Sequence, residues 1–141
     1  MLSVACLLSA EKLYVEEIDV GEDKPRQVVS GLVPYIPLEQ FQTARLCVIC
    51  NLKPSALRGV TSYGMVLAAS NADRSVVELI VPPAAAKVGE RLTLSTVDVL
   101  RYEVDAVIDP KKKGNCWDAI KGGLKTDAEG RATWELSLIH I

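Results

Sequence analysis

The chain has 141 residues, 49% hydrophobic and 24% charged, the size and balance of one ordinary globular domain; two domains in this length would each be marginal. Sixteen basic against eighteen acidic residues leave a net charge of −2, which excludes a protein-wide cationic surface, so nucleic-acid binding has to rest on a local patch. The one histidine, His140, lies next to the C-terminal residue, and this removes most metal and acid–base constellations, which draw on imidazole near neutral pH.

Met1 to Ala10 is apolar and ends in small residues, as an export signal does, but no Lys or Arg precedes the apolar stretch, so export is not expected. Short β-branched runs then recur between turn signals at Leu13–Val20, Gln27–Val33, Leu46–Leu52, Met65–Ala69, Val76–Val81 and Arg91–Leu94. That spacing predicts a small β-barrel or sandwich. Ile18-Asp19-Val20 alternates like a half-exposed strand, whereas Leu46 to Cys50 is nearly continuous in apolar character, as in a central strand buried on both faces. Pro37 to Gln42 predicts a short helix with proline in its first turn and Leu38 and Phe41 on one face, placed to plug one end of a barrel.

Beyond Leu94 the pattern changes. Val97 to Ile108 mixes charged and β-branched residues. Asp109 and Pro110 then predict the N-cap and first position of a helix through Trp117 and Ile120, kept short or broken by Gly114, Gly122 and Gly123. No apolar run approaches the roughly 20 residues of a spanning helix, so no membrane association is expected.

The informative segment is Asn51 to Met65. It leaves the apolar run and brings together the Asn51 amide, the Lys53 ammonium, the Arg58 guanidinium, hydroxyls, and glycines that let backbone approach a ligand. These groups are mostly donors, which suit phosphate and ribose oxygens; the same composition also fits an ordinary polar surface loop. Lys111-Lys112-Lys113 is a second basic cluster, read equally well as a solvated turn. Tyr14, Tyr35 and Tyr63 are candidates for stacking on unpaired bases, although aromatic residues at 5% argue against a broad platform.

Cys47 and Cys50 form a C-x-x-C, but inside a strand residues three apart point to opposite faces and no second pair exists, so a metal or redox role is not expected. Four cysteines with a core-sized apolar content and no convincing export signal point to a reducing, cytoplasmic setting. Glu16, Glu17 and Asp105 are expected to be solvated carboxylates rather than a catalytic pair. No catalytic, cofactor-binding or metal-ligating residue is assigned.

Ala10 to Glu22, Arg26 to Leu32 and Asn51 to Met65, in that order, resemble the tRNA-binding domain family of the endothelial monocyte-activating polypeptide II type. That family occurs appended to tyrosyl- and methionyl-tRNA synthetases and as free-standing synthetase cofactors. The resemblance runs from about Ser9 to Trp134, and Asp109 to Lys113 with Leu124 to Asp127 resemble the C-terminal extension of this type. It implies an all-β fold, a five-stranded oligonucleotide-binding barrel with a small mixed C-terminal extension, in agreement with the strand spacing.

It also implies noncatalytic binding of tRNA through backbone and shape, in support of an aminoacyl-tRNA synthetase in cis or in trans. Asn51, Lys53, Arg58, Ser62 and Met65 fall on the family's binding loop and adjoining strand, and Arg26 and Ser30 on a neighbouring strand. Met65 is expected in the core rather than at the contact. Two other readings stand beside this one: a protein–protein scaffold in a multi-synthetase complex, and a secreted cytokine-like polypeptide.

Residues 1–8 lack the family's first-strand character, so that strand is expected to be missing or replaced. The barrel is expected over 9–94 and the extension over 95–135, with residues 136–141 a tail derived from a sequencing adapter rather than part of the natural protein.

Overall fold

The structure, a computed structural model, describes residues 5–10, 12–95, 103–135 and 137–140, and only the backbone of 5–10, 137 and 140. The expected N-terminal segment, the Val97–Ile108 stretch and the expected tail therefore lie partly outside the described residues.

Three antiparallel strands in the order β1 (Ala5–Ala10), β2 (Leu13–Ile18) and β3 (Arg26–Ser30) form the first sheet. The place of a first strand is thus filled, by Ala5–Ala10. As the central strand, β2 is flanked on both edges, and Leu13, Tyr14, Glu16 and Ile18 are all buried along it. β2 stops at Ile18, short of the predicted Val20, because the Asp19 carboxylate accepts the Gly21 N–H at 2.9 Å and turns the chain. Gly21, at φ +81°, then packs so closely on the backbone of Gly89 that a Cβ there would lie 2.8 Å from its Cα.

Helix α1 (Leu38–Gln42) forms where the Pro-Leu-Glu-Gln-Phe pattern predicts it, with Pro37 at the N-cap. Its Phe41 is fully buried and stacks on Tyr14, ring centroids 5.1 Å apart, in a core with Leu32 and Ile36. The Tyr14 hydroxyl donates to the Ile36 carbonyl at 2.8 Å. Tyr14 is therefore not a base-stacking residue: a phenol satisfied at its polar tip contributes its whole ring to the core.

The apolar run at 46–52 yields only β4 (Val48–Ile49), half-buried rather than enclosed on both faces. A hairpin follows, β5 (Ser55–Leu57) with β6 (Val60–Ser62). Next come β7 (Met65–Val66), paired with β4, and β8 (Ala68–Ser70), paired with β9 (Val77–Leu79). Between β7 and β8 the chain changes partner at Leu67, whose N–H donates to the Cys47 carbonyl at 2.9 Å and whose carbonyl accepts from Ile80 N–H at 3.2 Å. Apolar run lengths overestimate these strands because the ladder is handed from one neighbour to the next.

The extension contains α2 (Cys116–Lys121) and a four-stranded sheet. Its order is β10 (Thr93–Leu94), β13 (Ser137–His140), β12 (Ala132–Trp134), β11 (Leu124–Thr126). β10, grouped in sequence with the barrel strands, pairs with β13. The N-cap of α2 is Asn115, whose side chain accepts the Asp118 N–H at 2.9 Å, and not Asp109. Gly114 at φ +74° breaks the chain just before it, and the Asp109 carboxylate is engaged elsewhere.

The expectation that Glu16 is solvated is also corrected. It is fully buried on β2, where Ser30 donates to one carboxylate oxygen and the other has no hydrogen-bond partner among the described residues. Burial pushes its pKa up to about 8, against a lowering by the Ser30 bond.

Candidate nucleic-acid interface

Asn51 to Met65, expected to be a loop, is largely the β5–β6 hairpin. Leu57 pairs with Val60 across Arg58 and Gly59, both with positive φ, 48° and 86°. Two positive φ values make the two-residue turn whose twist matches the strands. The signal was muted because Arg-Gly, unlike Asn-Gly, seldom builds this turn. The result is an exposed arginine at a hairpin tip.

Lys53 precedes the hairpin. Its N–H donates to the Ile108 carbonyl, and the Ile108 N–H to the Asn51 carbonyl, both at 2.7 Å, around a parallel bridge between Leu52 and Ile108. The Asn51 side chain adds a bond to the Asp105 carbonyl at 3.0 Å. These contacts bring the extension against the loop and set the turn that begins at Asp109 beside Lys53. Asp109 pairs with the Lys53 ammonium at 2.9 Å, accepts the Lys111 N–H at 3.0 Å, and accepts the Lys112 N–H on its carbonyl at 3.1 Å. The Lys53 bond, then the Lys111 N–H, holds the Asp109 carboxyl below its usual range. Lys111, Lys112 and Lys113 are exposed on this turn, whose first residue, Asp109, pairs with Lys53.

Arg26, Ser30 and Ser62 are placed differently. The Arg26 guanidinium donates to the Cys50 carbonyl at 2.6 Å and the Tyr63 carbonyl at 2.8 Å, and pairs with Glu22. Buried Ser62 accepts the Val29 N–H and donates to the Gly64 carbonyl, both at 2.9 Å, while Ser30 donates to Glu16. These side chains tie the hairpin and its neighbours to β3. Met65 is half-buried on β7 opposite Ile49.

Cys47 is buried and Cys50 half-buried, both unpaired; burial raises both thiol pKa values, which keeps them protonated, though Arg26 pulls Cys50 partly back. No group of His, Cys, Asp and Glu able to hold a metal is present among the described residues. No helix among them is long and apolar enough to cross a membrane. The contribution of Asp109, an ion-pair partner 56 residues from Lys53, was invisible in sequence because Asp-Pro before a lysine run is also an ordinary helix start.

The chain as a whole is similar to known proteins. The profile of the family described as "Putative tRNA binding domain" matches residues 2–91. The chain is 51% identical over 117 residues to the cytoplasmic methionine–tRNA ligase of Arabidopsis thaliana, which covers 83% of this chain and 14% of the ligase. It is 44% identical over 140 residues to the aminoacyl tRNA synthase complex-interacting multifunctional protein 1 of Mus musculus, covering 95% of this chain and 43% of that protein. Among solved structures, the C-terminal domain of Plasmodium vivax p43 superposes with a TM-score of 0.85 at 31% identity, over 99% of this chain and 81% of that one. The chain spans less than half the length of both sequence relatives. The family model covers well over half of the chain, and this chain therefore belongs to the "Putative tRNA binding domain" family.

Proposed function

We propose that this chain is a noncatalytic tRNA-binding module that supports an aminoacyl-tRNA synthetase, in cis or in trans, in the cytoplasm. The observation that carries this reading is the joining of Lys53 to the Lys111–Lys113 turn through Ile108, next to a hairpin tipped by Arg58. Lysines and an arginine on rigid backbone suit phosphates, and A-form RNA offers phosphates and 2′-hydroxyls because its narrow major groove hides the base edges. Arg58, Lys53, Lys111, Lys112 and Lys113 meet the RNA backbone in this reading. Asn51, Arg26, Ser30 and Ser62 serve it by holding the surface in shape.

The test is binding of several unrelated tRNAs as a function of salt. Similar affinities are expected, and for about four phosphate contacts log K should fall against log salt with a slope near −3. A flat salt response would overturn the reading and favour a protein–protein scaffold.

A further inference from the structure

We infer that Tyr63 is a stacking site for an unpaired nucleobase of the bound RNA, set at the base of the hairpin that carries Arg58. The inference rests on the RNA-binding reading and adds a contact that phosphate recognition does not require.

Tyr63 is 45% exposed, although it directly follows a buried serine. Its backbone is held from both sides: its N–H donates to the Gln27 carbonyl at 2.9 Å, and its carbonyl accepts from the Arg26 guanidinium at 2.8 Å. The residue after it, Gly64, is pressed so closely to β3 and β4 that a Cβ there would meet the Ile49 carbonyl oxygen at 3.1 Å and a Val28 methyl at 3.3 Å. The interior beside Tyr63 is thus filled, and its ring is presented outward on a fixed backbone. Such a ring loses little conformational freedom when it engages a ligand, having two side-chain torsions to restrain.

Its surroundings favour RNA over a protein side chain. Ser62 pairs with Ser55, two residues from Lys53, so Tyr63 stands on the same hairpin segment as Lys53 and Arg58. An aromatic face next to phosphate-binding cations is the combination that single-stranded nucleic acid uses, and stacking tolerates any base. Tyr14 is excluded by burial; Tyr35, 40% exposed, stands on the turn closed by its N–H to the Leu32 carbonyl before α1, and not on the hairpin segment that carries Lys53 and Arg58.

The experiment compares Tyr63→Ala, Tyr63→Leu and Tyr63→Phe with the unaltered chain on two probes: an oligouridylate of about ten nucleotides and a fully paired RNA duplex. Tyr63→Ala and Tyr63→Leu are expected to weaken oligouridylate binding roughly 5- to 150-fold. Tyr63→Phe should match the unaltered chain, and duplex affinity and salt slope should not change. Leu keeps apolar bulk at the position, so equal losses for Ala and Leu exclude a packing defect. The inference is overturned if Tyr63→Ala leaves oligouridylate affinity intact, if duplex binding falls equally, or if Tyr63→Phe loses as much as Ala. It is likewise overturned if Tyr63→Ala removes association with a synthetase while sparing both RNAs. Failure of the unaltered chain to bind either RNA would instead remove the RNA-binding reading on which the inference rests.

Discussion

On β3, Arg26 gives its guanidinium to two backbone carbonyls and Glu22, and Ser30 gives its hydroxyl to Glu16; on the hairpin and the turn beside it, Arg58 and Lys111–Lys113 stand exposed. Arg26, Ser30 and Arg58 all fall on positions that the family resemblance links to RNA, yet Arg26 and Ser30 are spent on the fold. The difference is one of neighbours. β3 lies beside the largely buried β2 and against β6, so polar side chains facing them must be satisfied within the protein. The hairpin tip and the turn have solvent on most sides. A residue type thus says what a side chain can bind, and its burial says whether that capacity is still available.

The strongest way to break the β1–β3 region is at its core. Phe41→Ala should cost about 3–5 kcal/mol in urea unfolding, since a fully buried ring stacked on Tyr14 is removed. A smaller loss would show that the Tyr14–Phe41 contact is not central.

Glu16 sharpens the comparison through pH. A carboxyl whose pKa rises from 4.5 to about 8 on folding takes up a proton as the chain folds. Below pH 4.5 both states are protonated and the full stability is present; as pH rises toward 8 the unfolded chain ionises first and stability declines, by at most about 1.4 kcal/mol per pH unit. Unfolding curves across this window should show the decline, and Glu16→Gln should flatten it. A pH-independent midpoint in the unaltered chain would contradict the buried placement.

Arg26 and Arg58 form the direct contrast. Arg58→Ala should weaken tRNA binding by about 1.5–3 kcal/mol with the melting temperature unchanged. Arg26→Ala should lower stability by about 2 kcal/mol by freeing two carbonyls and Glu22. The same stability loss from both substitutions would erase the distinction between the two regions.

The smallest effect belongs to Asp109, which competes with phosphate for Lys53. Asp109→Asn keeps an acceptor for the Lys111 N–H and removes the charge. tRNA affinity should rise a few-fold, with a steeper salt dependence by up to about one contact. A loss of affinity would mean that the carboxylate organises the lysine turn more than it blocks it.

Much of this was legible locally. β2, β3 and α1 follow from alternation, glycine boundaries and proline placement, and the binding segment stood out by its donors. Strand length at 46–52 and 65–70 was not legible, because it depends on which neighbour receives each N–H, as at Leu67. Nor was the fate of Asp109, since the same dipeptide caps a helix or starts a turn according to what lies opposite.

Sequence by itself determined the all-β class, the family resemblance and the inventory of cations, because these follow from periodicity and residue chemistry along the chain. Tertiary structure decided which of those cations are committed. Lys53 meets the Lys111–Lys113 turn only because the Ile108 backbone pairs with Asn51 and Lys53, and Arg26 is withdrawn only because Cys50 and Tyr63 carbonyls converge on it. Convergence of distant backbone depends on the folded path, and no local pattern encodes it.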